Sequence, residues 1–563
     1  MGSDLLQPFY TPSSVLTIDN WRDRAAAKRA SRDALIPVEW RLPDPYLYDR
    51  RLGATKVPYE CGILTTRELE ITELDELEEL ASRLAQGIYT ALEVTTAFCK
   101  RAAIAQQLTN CLTEIFFEDA LARAAQLDAS FRATGKPVGP LHGVPISLKD
   151  QFDVEGTELT MGYASYLGRI SAQNSSLVEL LLDAGAVVHC RTNVPMTLLD
   201  GDTDNHVFGR THNPLNVTLS PGGSSGGEGA LVAMKGSILG VGTDIGGSIR
   251  IPASFCGLYG LRPTSHRVPY GMSTNSLMGQ HAVPSVAGPL ARTVSSCTFF
   301  LRCVLESDPS KYDGTALPFP FDAVGAQRVA QLPKLAFGLI RVVGMARVHP
   351  SQERALLEAV EELKSAGHHV VEFDFSDFAD VPPLLSALLH ADGGDDVHSV
   401  TSHISEPLLP HLTLSPSTRR SVVDLWALHR RKEELQQSFL RQWRSTTSAL
   451  TGRAVDALLL PTTAMTACRP GDMRWGAYGA VASLLDLPAL ALPFGTVDEE
   501  KDQVEEGWEA LNAADEECRS TYDPAVSAGM PTSIQLIGRR YKDEELLAVA
   551  ERVVQALSAS SSS

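Results

Sequence analysis

SPGGSSGGEGALVAMKGSILGVGTDIGGSIRIP, residues 220–252, is the stretch that decides the fold of this chain. Five glycines fall in its first ten residues, and four more fall in GVGTDIGG at 240–247. Glycine loses more conformational freedom on folding than any other residue, so this density predicts that another group comes very close to the backbone. Residues 230–240, between the two clusters, are small and apolar, and they predict a buried helix that begins within 223–228.

Three common glycine-rich sites do not explain this stretch. A phosphate-binding loop requires G-x-x-x-x-G-K-[ST], whereas Lys235 lies in MKGS without that spacing. A dinucleotide-binding turn requires G-x-G-x-x-G, whereas Ile245 stands three residues after Gly242. Residues 223–227 match G-x-S-x-G formally, but residues 219–222 predict a turn where this nucleophile elbow needs a strand. We therefore favour a pair of separate serines over the elbow.

Ser248 follows two consecutive glycines in DIGGSIRIP, and this position favours it as a nucleophile. Backbone N–H groups that small residues leave uncovered can stabilise an oxyanion during acyl transfer. A serine needs a base to take its proton, and Lys149 ends the alternating segment GVPISLK at 143–149. In a strand, Ser147 and Lys149 share one face. Burial there disfavours the charged form of a lysine, so it lowers the pKa toward neutrality.

These residues resemble the mark of the amidase signature family, which is GGSSGGEGAL, here at 222–231, followed by GTDIGGSIRIPA, here at 242–253. Flanking segments are similar to the family as well, namely PISLKD, RTNVP, GRTHNP and AGPLAR. The likeness covers about residues 70–557. It implies an α/β fold, a single large domain with a mixed β-sheet core covered by helices.

The resemblance also implies a Ser-Ser-Lys triad. Ser248 matches the nucleophile, Ser224 the bridging serine behind a cis peptide bond, and Lys149 the base. The family's oxyanion hole maps onto four backbone amides, those of Ile245, Gly246, Gly247 and Ser248. No cofactor and no metal are expected for this chemistry.

Other residues are expected to support the site. We interpret three of them as holding the glycine-rich loop in place: Ser225, Asp244 and Arg250. The segment after RTNVP is similar to the family's substrate-lining loop, and its backbone carbonyls are expected to face the substrate: Met196, Thr197, Leu198, Leu199 and Asp200. His206 and His212 are interpreted as loop structure, because the serine–lysine pair already supplies a base.

Composition narrows the class of partner and the compartment. The 49 Lys and Arg against 68 Asp and Glu give a net charge of −19 without a basic run, which argues against nucleic acid as a partner. The 9 cysteines form no C-x-x-C pair, which is typical of a reducing compartment. The first residues carry neither a basic region nor an apolar core, so we expect no signal peptide, no membrane span and a cytoplasmic protein.

The chain is expected to divide into three parts. Residues 1–69 predict a helical and extended arm that packs on the main body, 70–557 the catalytic domain, and 558–563 a disordered tail. The periodic leucines within 71–107 predict a pair of amphipathic helices. Residues 382–443 are predicted to be helical and to form part of the pocket wall.

The predicted function is hydrolysis of the C–N bond in a small or medium carboxylic amide, through a serine acyl-enzyme. This expectation rests on the resemblance, which is greatest to the fungal acetamidase-like branch of the family. Two alternatives stay open: an acyl transferase or dedicated pathway amidase that uses an amine acceptor, and a transamidase subunit that serves a protein partner. Family members are often homodimers, and the sequence leaves that state open here.

Overall fold

A mixed β-sheet of eleven strands runs through the molecule. The computed structural model describes residues 17, 20–48, 53–412, 414–474 and 477–560. The strands within these residues are β1 (Leu112–Ile115), β2 (Pro145–Lys149), β3 (Val187–Thr192), β4 (Leu239–Asp244), β5 (Tyr259–Arg262), β6 (Val286–Ala291), β7 (Ala336–Leu339), β8 (His369–Glu372), β9 (Ala457–Pro461), β10 (Ala489–Thr496) and β11 (Pro531–Ile537). Their order across the sheet is β1-β3-β2-β4-β6-β5-β10-β11-β9-β7-β8.

The sheet combines two parallel blocks with an antiparallel centre. Strand β2 pairs in parallel with both β3 and β4, and β7 pairs in parallel with both β8 and β9. The strands between these blocks pair antiparallel. Because β2, β3 and β4 run in one direction, their carboxyl ends meet at one edge of the sheet, which is where open α/β sheets place their ligands.

Helices cover the sheet. In the described residues they are α1 (Trp21–Ala34), α2 (Asp44–Tyr48), α3 (Val57–Glu60), α4 (Thr66–Thr72), α5 (Leu77–Ala85), α6 (Ala91–Thr109), α7 (Phe117–Thr134), α8 (Ser176–Asp183), α9 (Gly226–Ala233), α10 (Arg250–Cys256), α11 (Val294–Glu306), α12 (Ala323–Ala330), α13 (Pro350–Ser365), α14 (Val381–Leu389), α15 (Asp395–Thr401), α16 (Val422–Ser445), α17 (Ala480–Leu485), α18 (Ala513–Ser520), α19 (Pro524–Ser527) and α20 (Asp543–Ser560). This arrangement confirms the predicted α/β domain with a mixed sheet. None of these described helices has the length and apolar character that a membrane crossing needs.

The predicted helix pair within 71–107 corresponds to α5 and α6, and local capping sets where α6 begins. The Thr90 side chain accepts the Glu93 backbone N–H, and the Glu93 carboxylate accepts that of Thr90 in return. This capping box satisfies two N–H groups that the first turn leaves without helical partners. The predicted helical region 382–443 corresponds to α14, α15 and α16. In the connection between α15 and α16, the described residues form two short 3₁₀ turns but no α-helix.

The helix predicted over 230–240 is wrong in its second half. Helix α9 ends at Ala233, Lys235 adopts a left-handed backbone with φ of 58°, and β4 begins at Leu239. Strand β4 is buried along its whole length and pairs on both sides. A strand that is buried on both faces has a continuous apolar sequence, so its pattern cannot be told from that of a buried helix.

The first and last described helices pack on the sheet domain, whereas residues 1–16 of the predicted arm lie outside the described part of the chain. Trp21 and Ala25 of α1 join a buried apolar cluster with Phe208, and Lys28 forms ion pairs with Glu114 and Glu158. At the other end, α20 continues to Ser560, so residues 558–560 of the predicted disordered tail are helical. Residues 561–563 lie outside the described part of the chain.

Candidate active site

The candidate site lies at the carboxyl ends of the parallel strands β2 and β4. Lys149 is the last residue of β2, as the alternating pattern predicted. Ser224 stands just before α9, and Ser248 stands between β4 and α10. The topology therefore brings together three residues that lie far apart in the sequence. A strand end fixes the lysine, and the two serines lie on glycine-rich turns that lead into helices.

Lys149 is fully buried, with 0% of its surface exposed. Its Nζ lies 2.7 Å from Ser224 Oγ and 2.8 Å from Thr243 Oγ1. Burial lowers the pKa of Lys149 to about 7, although the negative charges of Asp244 and Glu228 oppose this shift. A substantial fraction of the amine is therefore neutral at physiological pH, the form that can accept a proton.

Gln151 and Thr243 orient this amine, and neither was singled out from the sequence. Gln151 Nε2 donates to the Thr274 carbonyl at 3.2 Å, which identifies Oε1 as the atom 2.6 Å from Thr243 Oγ1. The Thr243 hydroxyl donates to that Oε1, so its oxygen accepts an N–H from Lys149. A neutral amine has two N–H groups and one lone pair, so with one N–H on Thr243 its lone pair can accept a proton from the Ser224 hydroxyl at 2.7 Å.

The two serine turns are joined through their backbones. The Ser225 N–H donates to the Ser248 carbonyl at 3.1 Å, and Ser225 Oγ contacts the Thr243 backbone at 3.3 Å. The peptide bond between Gly223 and Ser224 is cis, as the resemblance implied. Ser248 keeps 9% of its surface exposed and lines a cavity, whereas Ser224 is 1% exposed.

Close backbone approach explains the glycine at position 223. A Cβ atom on Gly223 would lie 2.4 Å from the Asp202 carbonyl oxygen and 2.8 Å from that of Asp200. The group predicted to come close to the glycine-rich backbone is therefore, at this position, another loop of the same protein. This loop is the one predicted to line the substrate site, so the glycine places the bridging serine directly against it.

The four amides predicted for the oxyanion hole have different surroundings. The Gly247 N–H donates to Asp244 Oδ1 at 2.8 Å. Ile245, Gly246 and Ser248 line the cavity beside the nucleophile, whereas Gly247 is absent from its lining among the described residues. Of the four amides, that of Gly247 therefore already has a buried carboxylate as its partner. A sequence pattern cannot indicate which amide in such a run is already occupied.

Asp244 and Arg250, two of the predicted supporting residues, form a buried ion pair beside Ser248. Arg250 binds both carboxylate oxygens of Asp244 at 3.0 Å, and both side chains are fully buried. Burial raises the pKa of Asp244, but the charge and hydrogen bonds of Arg250, with the charge of Arg262, outweigh it and hold that pKa below its usual value. The carboxylate is thus charged, and it fixes the backbone that carries Ser248.

Asp244→Asn should destabilise the fold by about 3–5 kcal/mol, because it leaves buried arginine charge without its partner. Urea unfolding followed by linear extrapolation measures this loss. Asp380→Asn is the matched control, since Asp380 pairs with Arg431 at 2.6 Å where the two side chains are 59% and 44% exposed. An exposed pair contributes at most about 1 kcal/mol. Equal losses in the two variants would contradict the bracing role.

The predicted substrate loop lies at the site only in part. Leu198, Leu199 and Asp200 line the cavity that also contains Ser248. Thr197 lines a neighbouring cavity instead, and Met196 is fully buried in an apolar cluster away from the cavity wall. Three of the five predicted residues therefore line this cavity, and Met196 is not among them. Left-handed backbone at Thr197 and Leu198, with φ of 73° and 61°, turns the chain between these two environments.

Residues 206 and 212, the two loop histidines, have structural partners. His206 Nε2 lies 3.0 Å from the Pro407 carbonyl, and His212 Nδ1 lies 2.9 Å from the Val217 carbonyl. These contacts agree with the interpretation of both histidines as loop structure. They hold the loop that contains the substrate-lining residues, and Lys149 stays the candidate base.

Glu228 is a buried carboxyl group beneath the site that the sequence analysis did not single out. Its carboxylate accepts the Ser147 hydroxyl at 2.5 Å and the Thr192 hydroxyl at 2.9 Å. Burial raises the pKa of Glu228 to about 8. A Cβ on Gly240 would lie 2.2 Å from Glu228 Oε2, so glycine is required there. The signal that could have found Glu228 is its position among glycines and apolar residues, where an acidic side chain must be buried.

Comparison with known proteins gives the class to which this fold and site belong. The Amidase family model matches residues 93–547, which include Lys149, Ser224 and Ser248. The chain therefore belongs to the amidase signature family, and it is a hydrolase that acts on amides. This membership confirms the resemblance that the glycine-rich motifs carried.

Particular relatives cover nearly the whole chain. An acetamidase of Emericella nidulans is 40% identical over 540 residues, which cover 95% of this chain and 98% of the relative. An acetamidase of Aspergillus oryzae is 39% identical over 540 residues, with the same coverage. The structure of a fatty acid amide hydrolase matches with a TM-score of 0.90 at 33% sequence identity, covering 97% of this chain and 96% of that one.

Proposed function

We propose that this protein hydrolyses small or medium carboxylic amides through a Ser-Ser-Lys triad and an acyl-enzyme on Ser248. Neutral Lys149 takes the proton of the Ser224 hydroxyl while Ser224 takes that of Ser248, which attacks the amide carbonyl. The amides of Ile245, Gly246 and Ser248 stabilise the oxyanion.

The same relay then works in reverse. The protonated lysine returns its proton through Ser224 to the leaving nitrogen, the C–N bond breaks, and the acid part stays on Ser248 as an ester. Water enters the vacated position, loses a proton to the relay and attacks this ester. Release of the carboxylic acid restores Ser248 and neutral Lys149, so one turnover consumes one water and no other reactant.

The observation that carries this proposal is the contact between Lys149 Nζ and Ser224 Oγ at 2.7 Å in a fully buried setting. A lysine that only balanced charge would be expected beside a carboxylate. Here its hydrogen-bonded side-chain partners are the hydroxyls of Ser224 and Thr243, which suits a group that exchanges a proton.

The cavity beside Ser248 supports a short acyl group. Its volume is about 250 Å³, which is below the usual range of about 300–1,000 Å³ for small-molecule pockets. Its apolar wall is formed by Leu198, Leu199, Ile251, Leu385, Leu389 and Met473. A cavity of about 770 Å³ lies on the other side of Leu389, which lines both cavities. We further propose the cytoplasm as the compartment, and the homodimer stays a prediction.

Ammonia release from acetamide, butyramide and benzamide by the purified protein tests this function. Turnover of any of the three establishes a hydrolytic amidase, and their relative kcat/KM values measure the size of the acyl pocket. Consumption of amide only when an amine is added would show acyl transfer instead. Activity only with glutamine and a copurified protein would show a transamidase subunit.

The activity should fall on the acid side of about pH 7. Lys149, whose pKa is lowered to about 7, is protonated below that pH and then cannot act as a base. The pH profile of kcat/KM measures this fall in activity, the acid limb, because it reports the ionisation of the free enzyme. A profile that stays flat from pH 8 to pH 5, with the fold intact, would remove neutral Lys149 from the mechanism. The lowered pKa of Lys149 also affects stability. Its contribution to the free energy of unfolding should rise with pH between about 7 and 10.4, because in this range the unfolded chain binds a proton that the folded chain does not.

Two variants of Thr243 test whether this residue helps to set the pH at which the acid limb falls. Thr243→Ser keeps the oxygen that accepts from Lys149, so the limb should stay in place. Thr243→Val removes that acceptor from a buried amine, which disfavours the charged form further and moves the limb to lower pH. Turnover should fall as well, because Thr243 no longer holds the Lys149 amine in place beside Ser224.

A further inference from the structure

His390 lies between the nucleophile cavity and a second, more polar one. It follows the last residue of α14, and it lines both the cavity of about 250 Å³ that contains Ser248 and a cavity of about 400 Å³ next to it. The two cavities share four residues, Leu199, Asp200, His390 and Met473. A substrate that reacts with Ser248 can therefore extend past the imidazole of His390 into the second cavity.

The hydrogen bond of His390 to its own helix sets its tautomer. Nδ1 lies 2.9 Å from the Ser386 carbonyl oxygen, which can only accept. The proton of the neutral ring is therefore on Nδ1, and Nε2 carries a lone pair. Among the described residues, the hydrogen bonds of this ring are made through Nδ1 alone. Nε2 is thus a hydrogen-bond acceptor that a ligand can use.

The walls of the second cavity carry balanced charge. His411 Nε2 lies 2.5 Å from Asp200 Oδ2, and Arg474 Nε lies 2.8 Å from Glu517 Oε1. Both pairs line the cavity. Because each charge has an opposite partner, the cavity presents polar groups without an excess of either sign. It suits a neutral polar group better than an ion or a hydrocarbon chain.

We propose that this second cavity is the amine-side subsite and that His390 Nε2 accepts an N–H of the scissile amide. The inference rests on the proposed function, because it assumes that Ser248 attacks the amide carbon. The acyl part then occupies the apolar cavity, and the nitrogen with any substituent lies toward His390. The ligand class of the subsite is ammonia or a small neutral amine, with hydroxyl-bearing substituents preferred over alkyl ones.

The interaction discriminates between substrates by one hydrogen bond. Primary and secondary amides carry an N–H that Nε2 can accept, whereas esters place an oxygen without hydrogen at the same position. His390 makes and breaks no covalent bond and takes no proton in this scheme. It is a specificity residue that orients the amide nitrogen, and the proton for the leaving amine still comes through Ser224.

The test compares butyramide with ethyl butyrate in the wild type, His390→Leu and His390→Gln. The kcat/KM for butyramide should fall about tenfold in His390→Leu, the size expected for one lost hydrogen bond, while that for ethyl butyrate stays unchanged. Gln offers an amide oxygen as acceptor, so His390→Gln should recover part of the loss. The unchanged ester reaction also shows that the leucine variant is folded.

Equal losses for amide and ester in His390→Leu, or no loss for the amide, would overturn the subsite. Both results leave the proposed function standing, because the wild type still hydrolyses its substrates. The proposed function fails differently: a wild type that is inactive on both substrates and unlabelled by a fluorophosphonate would overturn it, and the subsite with it. An N-(2-hydroxyethyl) amide that is hydrolysed no better than its N-propyl analogue would overturn the preference for polar amines.

Discussion

Replacing Ser248 with alanine should lower kcat for amide hydrolysis by roughly 10⁴-fold or more, the size typical of losing a serine nucleophile. The hydroxyl forms the acyl-enzyme bond, so no neighbouring group replaces it. Ser248 is 9% exposed and lines the cavity, so the substitution removes one oxygen from its wall without disturbing the core. Ammonia release at saturating amide measures the effect.

Ser254→Ala is the control for this variant. Ser254 lies in α10, close to Ser248 in the sequence, but its hydroxyl is buried against Ser533 at 2.5 Å and takes no part in the site. Turnover should be retained in Ser254→Ala. Residual activity above a few per cent in Ser248→Ala, in a preparation free of wild-type enzyme, would exclude Ser248 as the nucleophile.

Lys149→Met should lower kcat/KM by roughly 10²–10⁴-fold, the usual contribution of a general base. Methionine is unbranched and apolar, so it fits the fully buried position of the lysine stem. The residual kcat/KM of this variant should be nearly independent of pH between 6 and 9, because the group that titrates in this range in the wild type is gone. Steady-state kinetics over that range measures both properties.

Lys235→Met is the matched control, since Lys235 is a lysine at the surface of the same domain. Its Nζ pairs with Glu73 at 2.5 Å and with Asp75 at 3.5 Å, and 22% of its side chain is exposed. This variant should keep wild-type turnover and a wild-type acid limb. If Lys149→Met kept an acid limb near pH 7, another group would be the base.

The sequence alone predicted those features of the site for which the chemistry requires a particular residue type. Lys149 stands in an alternating apolar segment, and period-two geometry predicted the strand and placed Lys149 on the same face as Ser147. Ser224 and Ser248 each stand beside glycines. The motifs around them, and not a periodic pattern, indicated that the two serines belong to one site. Such features are local in the chain, so they can be read without knowing which segments meet.

The other features of the site depend on how the backbone folds, which the sequence pattern does not state. Gly247 looked like an oxyanion donor until the fold placed the Asp244 carboxylate on its amide. Gln151 has a role that follows from the Thr243 hydroxyl, which a distant segment brings to it. His390 bonds to its own helix, and its role follows from the two cavities that it lines. Strand β4 was mistaken for helix because buried strands and buried helices share an apolar composition.

The most direct test of the central claim is to locate a fluorophosphonate label by peptide mass spectrometry. The probe reacts with an activated serine, so wild-type protein at pH 8 should carry it on the peptide that contains Ser248. Ser248→Ala should remain unlabelled, and Lys149→Met should label much more slowly. A label on Ser225 instead would restore the nucleophile elbow and contradict the Ser248 mechanism, as would labelling of Ser248 at the same rate without Lys149.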